Sequence, residues 1–465
     1  MADSADRTPR EDVFRFTDPR HLGFDTYPDW LKRRLEWFRT LKFGLFIHWG
    51  LYSQWGCIES WPLVEADTWA RPDDLKCWTE RGKDLERFRR DYRALNRTFN
   101  PVRFAPEEWA QIAVDAGMKY LNFTTKHHDG FCMWDTQTTE YRITHPSCPF
   151  HAHPRADIVK HVFDAFRARD LAIACYFSKS DWHCPWYWVP GRPAPDRNPN
   201  YDTKAEFRVW ERFVQFVHAQ IRELMGRYGP IDVLWLDGGQ VRPPRQDLRM
   251  DEIARMARAL QPHLLIADRT VGGPHENIVT PEQEIPAWPM KHPWEACLTL
   301  GDGWSYRPND RYKTAAHVLE SLIEIVSKGG NCLLNVGMAP DGHFPDEARE
   351  RLVEIGRWLR TNGEAIYGTN VVKPYRAGAV RFTGRDRTVY ALVPRSKVQN
   401  RRASWSGHRP ARGSKIELLG HGPVPWRGKG GVVRTGVLPA GDDPYLVFKF
   451  TADPVLEGSG HENRK

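Results

Sequence analysis

Only eight cysteines occur in 465 residues, and no two are spaced as Cys-x-x-Cys, which excludes zinc-ribbon and thioredoxin-type chemistry. No apolar run approaches the ~18 residues of a membrane span. No Gly-x-Gly-x-x-Gly turn follows an early strand-like run, which argues against an open dinucleotide-binding sheet. Internal repeats and low-complexity tracts are also missing. The opening residues Met1–Arg10 are polar and carry no apolar core of a secretion signal. These absences predict a cytoplasmic protein with no membrane partner and with free thiols. In that setting the Asn-x-Thr matches at Asn96 and Asn122 carry no meaning. The excess of base is modest: 67 Lys and Arg against 59 Asp and Glu give +8. The basic residues are dispersed, and the densest group (Arg401, Arg402, Arg409, Arg412, Lys415) falls on one predicted loop, so a basic surface rather than a nucleic-acid partner is expected.

The chain is rich in apolar strands that end in polar residues. Its length suits a barrel of roughly 250–400 residues plus a smaller module. Strand-like runs at 42–48, 119–124, 171–177, 233–236, 264–268 and 332–336 alternate with helix signals at about 106–113, 156–169 and 205–226. Pro106 opens the first of these helices and Gly117 stops it. The last carries Phe207, Trp210, Phe213, Val214, Val217, Ile221 and Leu224 on one face. Such alternation predicts a parallel sheet. Polar residues after strand upon strand favour a closed (β/α)8-type, TIM-like barrel with its site at one mouth. After Gly363 short alternating runs at 389–393, 415–419 and 445–450 are separated by Gly- and Pro-rich turns, as in a β-sandwich. The expected organisation is a lead-in over 1–30, a catalytic barrel over 31–364, a C-terminal β-sandwich over 365–455 and a disordered tail over 456–465.

The strand ends supply the chemistry: His48, then Lys126-His127-His128-Asp129, then Tyr176-Phe177-Ser178, then Asp237, then Asp268-Arg269. A metal is the first rival for three histidines. Adjacent His127 and His128 would point to opposite faces of a strand, however, and no Cys/His spacing closes a zinc site. His151 and His153 read as a solvated loop, so no metal or cofactor is expected. Val233-Leu234-Trp235-Leu236-Asp237-Gly238-Gly239 puts a carboxylate at the tip of a buried strand, with a Trp two residues earlier on the same side. Asp237 is therefore the candidate nucleophile. Glu282 and Glu284 on a loop, and Glu295 beside Trp294, are the candidates for a second carboxyl that protonates a leaving group. The 20 Trp residues, among them Trp49, Trp55, Trp61, Trp182, Trp186, Trp188, Trp294 and Trp304, offer flat apolar faces suited to sugar rings.

Phe43-Gly44-Leu45-Phe46-Ile47-His48-Trp49-Gly50, Lys126-His127-His128-Asp129-Gly130-Phe131, Trp235-Leu236-Asp237-Gly238-Gly239, Trp294-Glu295-Ala296-Cys297 and Leu333-Leu334-Asn335-Val336-Gly337 occur in that order. Together they resemble the α-L-fucosidases of glycoside hydrolase family 29. The resemblance implies exo-acting, retaining hydrolysis of a fucosylated oligosaccharide or glycoconjugate through a covalent glycosyl-enzyme on Asp237. It implies that His48, His127, His128, Tyr176, Trp235 and Arg269 hold the sugar. Glu59 and Trp61 are similar to a Glu–Trp pair that also touches it, with Ser60 between them here. Spacing from Arg269 favours Glu282 as the acid/base, with Glu295 second. A retaining site needs its two carboxyls about 5–5.5 Å apart. An apolar, Trp-lined setting is expected to keep the acid protonated, and Phe46 or Trp304 to line a niche for the fucose methyl. The residues alone leave open a hydrolase of a related sugar such as an α-galactoside, a carbohydrate-binding protein without turnover, and a homo-oligomer.

Overall fold

The computed structural model describes residues 16–17 and 22–452, so the expected tail and most of the lead-in lie outside the described residues. Seven parallel strands form one sheet: β1 (Phe43–His48), β2 (Tyr120–Lys126), β3 (Ala172–Ser178), β4 (Val233–Asp237), β5 (Leu265–Asp268), β6 (Glu295–Thr299) and β7 (Asn331–Gly337). Their order is β5-β4-β3-β2-β1-β7-β6, so the edges are β5 and β6. The segment 276–283 laces those edges together. Asn277 N–H donates to Ile266 O at 2.9 Å on one side, while Glu295 N–H donates to Val279 O and Cys297 N–H to Pro281 O, both at 2.9 Å, on the other. It stands where the eighth strand of a barrel belongs, and Pro281, which has no N–H to donate, keeps it from forming a regular ladder. The stretch 280–284, expected as a loop, is thus part of the barrel wall. β6 was not foreseen as a strand either. Its inward positions carry Glu295, Cys297 and Thr299, which break the apolar run that marked the other six.

Side chains alternate across each strand with period two. Phe46, Tyr120, Ala174, Tyr176, Val233, Trp235, Leu265, Ala267, Cys297 and Leu333 fill the lumen. Leu45, Ile47, Leu121, Phe123, Ile173, Cys175, Leu234, Leu236, Ile266 and Leu334 face the surrounding helices. Helix Asp29–Leu41 packs Leu31, Leu35 and Phe38 against the lumen cluster, with the Phe38 and Tyr120 rings 5.7 Å apart. The expected helices span Pro106–Asp115, Ile158–Arg167 and Phe207–Arg227. Gly117 ends the first with φ +82°, and Asp157 caps the second by accepting from Lys160 N–H. Phe207 does not join the buried face of the third; it is 63% exposed at its first turn.

Helix Asp346–Asn362 is followed by antiparallel strands. Six form a sheet in the order Gly422–Val424, Ile416–Leu418, Tyr445–Thr451, Thr388–Pro394, Val380–Arg385, Asn370–Ala377, and three form a second sheet from Ser404–Trp405, Val432–Thr435 and Trp426–Lys429. Val389, Ala391, Val393, Phe448 and Phe450 of the large sheet pack on Trp405 and Val433 of the small one. The intervening Tyr390, Leu392, Tyr445 and Val447 turn the other way and join the core around the barrel. The eight cysteines are all buried as free thiols. No helix among the described residues is long and apolar enough to cross a membrane.

Candidate active site

Period two along β4 sends Trp235 and Asp237 into the lumen, and Gly238 turns the chain away with φ +87°. Asp237 stands at the mouth with each oxygen held. Oδ1 accepts from Gly238 N–H at 2.8 Å and from Arg269 Nη1 at 3.0 Å. Oδ2 accepts from the Tyr176 hydroxyl at 2.7 Å, and His128 Nε2 lies 3.7 Å away. Burial pushes this carboxyl up, but the Arg269 charge, then His128 and the two neutral donors, outweigh it and hold it well below the usual range. It is an ionised, oriented carboxylate. Arg269 lies over the Trp235 ring at 5.1 Å and uses its other arm, Nη2, to bind Glu282, so one guanidinium joins both carboxyls. Its Nε donates to Thr280 Oγ1 at 3.2 Å.

Three neutral imidazoles surround this pair. Burial lowers His48 and His128 to about 4 and holds His127 well below its ordinary value. Asn335 Nδ2 donates to Trp304 O at 2.7 Å, which turns Oδ1 toward His48 Nδ1 at 2.6 Å. His48 therefore donates from Nδ1 and offers Nε2 to the cavity as an acceptor. Ser178 Oγ donates to Ser180 O at 2.6 Å, and His128 Nδ1 lies 2.5 Å from Ser178 Oγ and 2.9 Å from Ser180 Oγ, so that Nε2 is turned toward Asp237. His127 Nδ1 pairs with Ser60 Oγ at 2.5 Å, and its ring lies parallel to that of Tyr176. The expectation that His127 and His128 face opposite ways is corrected here. β2 ends at Lys126 after a register shift, strand alternation no longer applies, and both rings line one cavity, 4.4 Å apart. Among the described residues no group of three His, Cys, Asp or Glu side chains could hold a metal ion.

The cavity encloses about 650 Å³. His48, Glu59, Trp61, His127, His128, Tyr176, Trp235, Asp237, Arg269 and Glu282 all line it, as do Phe46 and Trp304. Glu295 does not. It begins β6 at the closed end of the lumen, 1% exposed, where Oε1 accepts from Trp235 Nε1 at 2.7 Å and Oε2 from the Tyr120 hydroxyl at 2.8 Å. A carboxyl below the Trp235 ring cannot reach a leaving group above it, so the second choice for the acid is corrected. The setting foreseen for Glu282 also differs: it lies against Arg269 rather than among apolar rings. Glu59 has the apolar setting instead. Oε1 accepts from Ser305 N–H at 2.8 Å, Oε2 is buried with no partner among the described residues, and burial raises the carboxyl to about 7. Of the tryptophans singled out in the sequence, Trp61 and Trp304 face the cavity, whereas Trp49, Trp182 and Trp294 are core. Sequence reasoning missed Trp69, Arg197, Gln240, Arg307 and Lys313 at the rim, because they come from long irregular loops with no periodic signal.

Residues 26–364 match the family model described as alpha-L-fucosidase. The plasma alpha-L-fucosidase of Homo sapiens is 28% identical over 431 residues, covering 88% of this chain and 87% of that protein. The tissue enzyme of Homo sapiens is 28% identical over 445 residues, covering 90% and 87%. Among solved structures, alpha-L-fucosidase isoenzyme 1 from Paenibacillus thiaminolyticus superposes with a TM-score of 0.75 at 30% identity, covering 91% of this chain and 100% of that one. The Thermotoga maritima alpha-fucosidase in complex with fucose gives 0.71 at 26%, covering 90% and 98%. With a TIM-like barrel, a carboxylate at a strand tip and a wall of histidines and aromatics at its mouth, the chain belongs to the alpha-L-fucosidase family of glycoside hydrolases.

Proposed function

We propose that the chain is an exo-acting, retaining α-L-fucosidase with Asp237 as nucleophile and Glu282 as acid/base. The observation that carries this is the ionised Asp237 carboxylate, fixed by Tyr176, Arg269 and Gly238 at the wall of the cavity. In the first step an Asp237 oxygen attacks C1 of the fucosyl ring as the C1–O bond to the aglycone breaks. Glu282 turns from Arg269 to give its proton to the departing oxygen. In the second step a water oxygen attacks C1, Glu282 takes the water proton, and the C1–Asp237 bond breaks, releasing fucose with its anomeric configuration retained. The acceptor nitrogen of His48 suits a ring hydroxyl, and this hydrogen bond tightens as the ring flattens in the transition state. The Phe46 and Trp304 rings, 6.0 Å apart, suit the methyl group. The Thermotoga maritima relative, solved with fucose, supports a deoxyhexose in this place.

Replacing Asp237 with Ala should cut turnover of an aryl α-L-fucoside roughly 10³-fold, a loss of about 4 kcal/mol of transition-state stabilisation. Added azide should restore the rate and give the β-fucosyl azide. Undiminished turnover would refute the nucleophile. A second assignment of the acid rests on the partnerless Oε2 of Glu59 and its carboxyl at about 7, which suits a proton donor near neutrality. Glu282→Ala and Glu59→Ala separate the two: the true acid's loss slows natural fucosides far more than fucosyl fluoride, whose leaving group needs no proton. An equal effect of Glu282→Ala on both substrates contradicts its role. A panel of aryl α-galactosides run beside the fucosides tests the sugar preference.

A further inference from the structure

The cavity is wider than one deoxyhexose needs, and an aromatic wall runs along one side of it from the sugar end to the rim. Trp61 stands 4.9 Å from His128 at the sugar end. Trp69, 6.2 Å from Trp61 and 42% exposed, continues the wall to the rim. An exposed indole at a pocket mouth is ordinarily free to turn, but this one is tied down. Trp69 Nε1 donates to Asp67 Oδ1 at 3.1 Å. The same carboxylate takes a two-point fork from Arg197, Nε to Oδ2 and Nη2 to Oδ1, both at 2.8 Å. The Arg197 guanidinium carbon sits over the Trp61 ring, 4.3 Å from its centre. A single buried carboxylate thus fixes both indoles and the guanidinium. Arg197 Nη1 donates to no protein atom among the described residues, and Arg197 and Trp69 both line the cavity. An apolar face next to free donors is the pairing that recognises a pyranose ring, with its C–H face and its equatorial hydroxyls.

We propose that Trp69 and Arg197, set by Asp67, form a subsite for the first sugar of the aglycone. This rests on the proposed function and deepens it: an exo-acting pocket closed at the Glu295 end leaves its aglycone only the rim. The subsite holds the leaving sugar by stacking on Trp69 and by hydrogen bonds from Arg197 Nη1 to its hydroxyls.

The test compares Trp69→Ala and Arg197→Gln with the parent on three substrates: α-L-fucosyl fluoride, whose aglycone is one atom, and the trisaccharides 2′-fucosyllactose and 3-fucosyllactose. On fucosyl fluoride Trp69→Ala, which leaves Trp61, Asp67 and Arg197 in place, should keep kcat/KM within about twofold of the parent. On whichever trisaccharide the parent cleaves better, Trp69→Ala should lower kcat/KM about tenfold, mostly through KM, and Arg197→Gln severalfold. Unchanged trisaccharide kinetics in both variants would overturn the subsite. A loss of the same size on the fluoride marks a structural fault in that variant, and Trp69→Phe, which keeps a ring on the wall, then decides: selective recovery of trisaccharide activity supports the subsite, and no recovery overturns it. A parent inert on fucosyl fluoride itself would sink the proposed hydrolysis, not this subsite alone.

Discussion

Glu295 shows how a residue can carry a sequence motif and serve away from the reacting atoms. Its two oxygens accept from Trp235 and Tyr120 inside the lumen, and burial, offset in part by those two donors, raises it to about 7 from an ordinary 4.5. Because the folded value lies above the unfolded one, the native chain holds a proton between those two pH values that the unfolded chain releases. The resulting stabilisation is complete at the acid end of that window and is lost as pH rises to about 7. Glu295→Gln has no such proton. The stability of the parent relative to this variant should therefore shrink between pH 5 and pH 8, by up to about 3 kcal/mol. Urea unfolding at the two pH values measures it, and a difference that does not move with pH contradicts the assignment. The cavity-lining side chains of the strands were legible in the sequence because they come at or near the end of an apolar run: His48 and Asp237 are the last residues of β1 and β4, and Tyr176 lies two before the end of β3. The residues that orient them were not. Ser178, which sets His128, is 50 positions away from it, and Asn335, which sets His48, is 287 away. Such partners are joined only by folding.

At the scale of elements, three strand tips are locked to one another. Lys179, just past β3, donates its N–H to Asp237 O at 2.9 Å, and its Nζ reaches Asp268 Oδ1 at the end of β5 at 2.6 Å. Both charged groups are almost wholly buried. The clamp spans β4 and fixes the height of its tip. Lys179→Met strands the Asp268 carboxylate in the interior and should cost about 3–5 kcal/mol of stability, whereas the double variant Lys179→Met, Asp268→Asn should cost distinctly less. A double-mutant cycle on urea unfolding reads this out, and equal losses in the single and double variants would contradict it. The six strands legible in the sequence begin and end close to where their apolar runs do, because buried parallel strands are nearly uninterrupted hydrophobic runs. β6 and the segment 276–283 were hidden by the polar residues that make them useful. A wall segment carrying Thr280, Pro281 and Glu282 has no run to detect, yet it closes the barrel and presents Glu282.

At the scale of the whole molecule, the C-terminal sheets brace the barrel. One face of the large sheet packs on the small one, and the other continues the core around the barrel through Tyr390, Leu392, Tyr445 and Val447. Trp358 Nε1 donates to Tyr445 O at 3.1 Å, Lys449 pairs with Glu364 at 2.7 Å, and Arg381 pairs with Glu324. A chain ended after residue 366 would expose Trp358 and its neighbours, so it should be poorly soluble and bind a hydrophobic dye. A soluble truncated barrel with the parent's melting temperature would show that the sheets are independent of it. The scaffold holds the Asp237 carboxylate at the mouth, and the proposed chemistry turns on that carboxylate. Incubation with 2-deoxy-2-fluoro-α-L-fucosyl fluoride, proteolysis and mass spectrometry test it most directly. The predicted result is one fucosyl label on the peptide spanning 233–239, located at Asp237. A label on another residue, or turnover with inversion and no label at all, would contradict it.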